Sequence, residues 1–104
     1  MSSYEERGRD NAAIRGYILR VLAKGHHFSF LVRRLSGKLM ESGLSSDEDI
    51  WEPLKYLYDM QFIEFVDKRV TPYTAYERDA VVRLTTKGVQ FIENGGDDES
   101  GIDL

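Results

Sequence analysis

The chain has 104 residues, 41% hydrophobic and 12% aromatic, which suits one domain with its own core and leaves little room for a second. It holds no cysteine, which excludes disulfide frameworks, thiolate metal sites and cysteine nucleophiles. The net charge of −4 is unevenly placed, with bases ahead up to Leu44 and acids ahead from Ser45 to Met60 and after Asn94, so no wholesale attraction to nucleic acid, or repulsion from it, follows.

Residues 1–9 are polar and charged with no apolar period, and predict a flexible arm ahead of a folded domain over residues 10–94. Asp10 or Asn11 can cap a first helix, because a short side-chain oxygen accepts from an unpaired first-turn amide. Ile14, Ile18, Val21 and Leu22 form its apolar stripe, and Lys24-Gly25 supplies the stop. His26-His27-Phe28 reads as a short extended link. Ser29 then caps a second helix to about Ser42, with Leu31, Leu35 and Leu39 inward. Gly37 costs this helix about 1 kcal/mol against alanine, which a close helix crossing would explain.

The third helix has the sharpest predicted start. Ser46 with Asp49 three residues on resembles a capping box, and Asp47, Glu48 and Asp49 would suit the positive end of the helix dipole. Ile50, Leu54 and Leu57 make its buried stripe, bordered by Tyr58 and Met60. Pro53 predicts a bend or split near Asp49 to Pro53. A helix that instead starts near Glu52 would carry the proline in its first turn at little cost and leave the acidic triplet outside. Beyond Gln61 the period shortens. Phe62 to Val66 and Ala80 to Leu84 read as antiparallel strands joined by a long wing loop, Asp67 to Asp79. Thr85 or Thr86 caps a short last helix that ends at Asn94-Gly95-Gly96, and residues 95–104 read as a disordered acidic tail.

The order helix, helix, helix, strand, long loop, strand, short helix resembles that of winged helix-turn-helix domains. Leu54 to Glu64 is similar to the end of that family's recognition helix running into its first wing strand. Val82-Arg83-Leu84-Thr85-Thr86-Lys87-Gly88 is similar to the entry to the last helix in regulators of the MarR, PadR and ArsR type. The likeness covers about Asn11 to Glu93 and is nearest to small winged-helix proteins of bacteria and Mu-like phages. Phe62, where the family often has glycine, and Pro53 depart from it. The fold expected is α+β: three helices, a two- or three-stranded antiparallel wing and a short C-terminal helix. The resemblance implies a small transcriptional regulator that binds double-stranded DNA, with the third helix in the major groove.

The residues complicate that expectation. At about 100° per residue, the third helix turns Glu48, Asp49, Glu52, Lys55, Tyr56 and Asp59 to solvent, a mostly acidic face that duplex phosphates disfavour. The candidate phosphate contacts are Arg33, Arg34 and Lys38 of the second helix and Lys68, Arg69 and Arg78 around the wing, with Tyr73 and Tyr76 as aromatic partners. Ordinary solubilising cations would look the same. The alternative is an adaptor that binds another protein through Trp51, Glu52, Tyr56 and Asp59. No catalytic motif appears and no cofactor is implied. Adjacent His26 and His27, without further histidine or cysteine, do not make a metal site. No apolar run approaches the ~20 residues of a membrane span, and Met1 to Arg7 does not resemble a signal peptide. A cytoplasmic protein without a membrane partner is expected, as a monomer or a homodimer.

Overall fold

A computed structural model describes the backbone of residues 3–104 and the side chains from Asn11 onward. The described residues form four α-helices and a three-stranded antiparallel sheet, an α+β arrangement compatible with a winged helix. The first helix, α1 (Ser3–Lys24), is the longest. Of the flexible arm expected over residues 1–9, Met1 and Ser2 lie outside the described residues and the rest belongs to α1. Of the predicted stripe, Ile18 and Leu22 are fully buried together with Leu19, while Ile14 and Val21 are only partly buried.

A short 3-10 turn, His26–Phe28, follows. His27 and Phe28 both take left-handed φ there. This turn leads into the first strand, β1 (Ser29–Leu31), which pairs with the last strand. Ser29 is therefore a strand residue and does not cap a helix. The second helix, α2 (Val32–Glu41), has Leu31 at its N-cap, with no side-chain bond from that residue. Leu31 itself is exposed, and Val32 takes the buried place beside Leu35 and Leu39. The amide of Arg33 is satisfied from far along the chain, by Asp79 Oδ1 at 3.1 Å. Gly37 meets nothing within 4 Å of where a Cβ would stand, so no helix crossing explains it.

The third helix, α3 (Trp51–Asp59), starts later than the capping-box reading expects. Ser46 caps nothing. Asp49 Oδ1 instead accepts from the amide of Trp51 at 3.1 Å and ends the preceding loop. Pro53 then sits in the first turn, where a missing N–H costs little, and no kink is needed. The acids Asp47, Glu48 and Asp49 belong to the loop. Ser36, a buried polar residue of α2, holds that loop by donating to the carbonyl of Glu48 at 2.6 Å.

The remaining strands are β2 (Ile63–Phe65) and β3 (Val81–Leu84), and the sheet order is β1-β3-β2. The predicted wing strands are thus present, slightly shorter, with β1 as a third member. Their connection does not project as an open wing. A run of turns folds it onto the body and buries Val70, Pro72 and Ala75. The last helix, α4 (Thr86–Glu93), is capped by Thr85, whose Oγ1 accepts from Gly88 N at 3.0 Å and donates to Gln61 O at 2.6 Å. A Cβ on Gly88 would overlap the carbonyl of Phe62, so glycine lets α4 approach the start of β2. The leucine-threonine-glycine pattern that carried the family resemblance therefore has a local packing reason.

The tail, expected to be disordered, is folded against α1 and α3. Tyr56 OH donates to Ser100 O, Arg15 Nη1 donates to Gly101 O at 3.0 Å, and Asp103 N donates to Ala12 O at 3.0 Å. Ile102 joins the core at 8% exposure. The acids Asp97, Asp98 and Glu99 stay in water, while a single buried isoleucine and three backbone anchors hold the segment. Composition hid that anchor.

Candidate nucleic-acid interface

The predicted phosphate contacts fall into two groups with different electrostatics. Around the loop after β2 two of the predicted cations, Lys68 and Arg69, are already paired. Lys68 Nζ lies 3.0 Å from Glu64 Oε2, whose other oxygen holds Arg83 Nε at 2.8 Å. Arg69 makes a two-pronged contact with Asp67, from Nε at 3.1 Å and Nη2 at 3.0 Å. The guanidinium of Arg69 holds the Asp67 carboxyl at about 2, and Lys68 and then Arg83 lower Glu64 from its usual value. Arg33 is committed to the same loop, donating to Tyr76 O at 3.0 Å and Glu77 O at 2.8 Å. Its charge remains, but its position is that of a strut. Arg78 is exposed, with no side-chain hydrogen bond among the described residues.

Arg34 and Lys38 behave differently. One turn apart on α2, they lie over the ring of Phe30, with the guanidinium carbon at 5.1 Å and the ammonium at 5.7 Å from its centroid. They face Arg20 and Lys24 across a cleft between α1 and α2 of about 550 Å³. No carboxylate among the described residues lines it. Among the described residues, none of these four cations is in a salt bridge, and Arg20 makes only a long bond, 3.4 Å, to the carbonyl of Asp103. A cation over an aromatic face is held in place without having its charge cancelled or all its N–H donors used. Arg20 and Lys24 are the cations that the sequence reading missed. The signal was Arg20 and Lys24 one turn apart on α1, next to Tyr17 and outside the fully buried positions.

No family model, no curated protein and no solved structure matches this chain. The site therefore rests on its own geometry.

The third-helix face differs from the one expected. Glu48 and Asp49 are in the loop before α3, and Glu48 accepts from Tyr76 OH at 3.2 Å. Tyr56 does not face open solvent. Arg15 lies 3.6 Å over its ring and its hydroxyl is spent on the tail. Asp59 pairs with Lys55 at 2.6 Å, and that hydrogen bond raises the lysine from its usual value. Glu52 is exposed. Trp51 is 36% exposed and stacks with Tyr73, 58% exposed, at 5.3 Å between centroids. Of the two aromatics named for nucleic acid, Tyr73 thus belongs with Trp51 beside α3, and Tyr76 holds the loop beneath Arg33.

His26 and His27 stand edge to face at 4.0 Å on the 3-10 turn. Among the described residues no group of three or more His, Asp or Glu is placed to hold a metal ion. No described helix is long and apolar enough to cross a membrane.

Proposed function

We propose that this chain is a winged-helix nucleic-acid-binding protein of the small transcriptional-regulator kind, which meets duplex DNA through its phosphate backbone on the α1–α2 side. The observation that carries this reading is the convergence of Arg20, Lys24, Arg34 and Lys38 with no carboxylate among them in the described residues, while Lys68 and Arg69 are already paired with Glu64 and Asp67. Phosphate contacts supply most of the affinity and come from free cations. On this reading α3 is not the element that reads bases. Glu52 and Asp59 are on it, and the loop residue Tyr73 covers Trp51 at its start.

Titration of the chain with mixed-sequence duplex at rising salt tests the proposal. Four phosphate contacts give a slope of log affinity against log salt of roughly −3 to −4, at about 0.9 per contact. Absence of binding at low salt, where screening is weakest, rules the reading out.

A second reading has an observation of its own. Trp51 and Tyr73 form an exposed aromatic pair next to Glu52, the composition of an anchor for a protein partner. It calls for silence toward DNA and for a partner that is lost on Trp51→Ala.

A further inference from the structure

We infer that the cleft between α1 and α2 is a binding site for a nucleoside polyphosphate. Its volume, about 550 Å³, is within the range of small-molecule pockets, so the cations proposed to meet a duplex also enclose room for a small ligand. The walls divide the work. Arg20 and Lys24 stand on α1, Arg34 and Lys38 on α2, and Tyr17 and Phe30 supply aromatic surface between them. Guanidinium groups bind phosphate in a two-pronged fashion and ammonium groups bind it as point charges. Four cations on two facing helices match a ligand with several negative charges spread over a chain of phosphates.

The flat surfaces favour a ring on the same ligand. Phe30 already holds Arg34 and Lys38 against its ring, so these cations are arranged before any ligand arrives. An arginine plane on an aromatic ring is itself a stacking surface for a base. Tyr17 is fixed by its hydroxyl, which donates to Lys38 O at 3.4 Å and ties the two walls together. Arg20 lies over the Tyr17 ring and makes one long hydrogen bond, to a backbone carbonyl of the tail, which a phosphate oxygen outcompetes as an acceptor because the bond becomes charge-assisted. A simple carboxylate ligand would leave most of this charge unanswered.

The site does not depend on duplex binding, and the test separates the two. ATP without magnesium and, separately, inorganic pyrophosphate are titrated into the labelled full chain at low salt, following backbone amides. Saturable shifts confined to residues 17–26 and 30–38 are expected with ATP. Arg34→Glu and Lys24→Glu, on opposite walls, should each weaken ATP at least about tenfold. Two exposed positions on different helices keep the test alive if one variant folds poorly, and Lys68→Ala should change nothing. Pyrophosphate should bind about tenfold more weakly, for want of a ring to stack. No saturation with ATP, shifts centred on the β2–β3 connection, variants that bind like the parent, or equal affinity for the two probes would each overturn the assignment. Binding of ATP with no binding of duplex upholds the cleft and removes the DNA reading, and the reverse result does the opposite.

Discussion

Gly16 of α1 lies so close to the carbonyl oxygen of Asp103 that a Cβ there would overlap it. The contact fixes where the C-terminal segment crosses the helix, next to the anchors at Ala12 and Arg15. It also reverses the sign of an ordinary substitution. In an uncovered helix Gly→Ala stabilises by about 1 kcal/mol. Here Gly16→Ala must displace the tail and expose Ile102, whose burial contributes about 1.5–3 kcal/mol. A net loss of about 1 kcal/mol in urea unfolding is expected, with amide order lost over residues 97–104. A gain in stability would show that the tail does not lie on α1.

The start of α2 depends on Asp79, which is held at φ 45° at the end of the β2–β3 connection. Asp79→Ala removes the acceptor for the Arg33 amide and should cost about 0.5–2 kcal/mol, the range of a lost helix cap. Faster hydrogen exchange at Arg33 is the local signature. Unchanged exchange would count against the cap.

Much of the fold was legible in the sequence because burial imposes a period. The stripes through Ile18, Leu35 and Leu54, the two wing strands and the Thr85 cap all follow from neighbours within one or two turns. The misreadings share a different cause. Ser29 and Ser46 had the chemistry of caps, yet the amides near them are served by Asp79, across the fold, and by Asp49, next to the helix that actually forms. The tail is held by contacts that join positions some 86 residues apart, such as Arg15 to Gly101, and no local pattern carries those. At the candidate interface, Arg34 and Lys38 were legible as cations. That Lys68 and Arg69 are spent on Glu64 and Asp67 was not, because every charge in the loop reads alike until its partner is placed.

The Asp67 to Arg69 pair sets a pH dependence. Asp67 binds its proton less readily in the folded chain, at about 2 against the usual 3.8. The stabilisation is therefore present above the usual value and is lost as pH falls toward about 2. Arg69→Ala should return Asp67 toward 3.8 in a carboxyl NMR titration. A titration that stays low in the variant would place the cause elsewhere.

The stack of Trp51 on Tyr73 reports whether the connection is seated on α3. Tyr73→Ala should lower stability by about 0.5–1 kcal/mol and shift the Trp51 emission to the red as the indole gains water. An unchanged spectrum would mean that the loop stands away from the helix.

The most direct measurement of the central claim is duplex affinity against salt for the parent chain and two double variants, Arg34→Ala/Lys38→Ala and Lys68→Ala/Arg69→Ala. The α2 pair should lose affinity by about tenfold or more, with a slope shallower by about 2, at about 0.9 per lost contact. The loop pair, whose charges already face carboxylates, should stay within about threefold of the parent, as befits exposed paired groups. The opposite order, with the loop pair decisive and the α2 pair silent, would contradict the placement of the interface on the α1–α2 side.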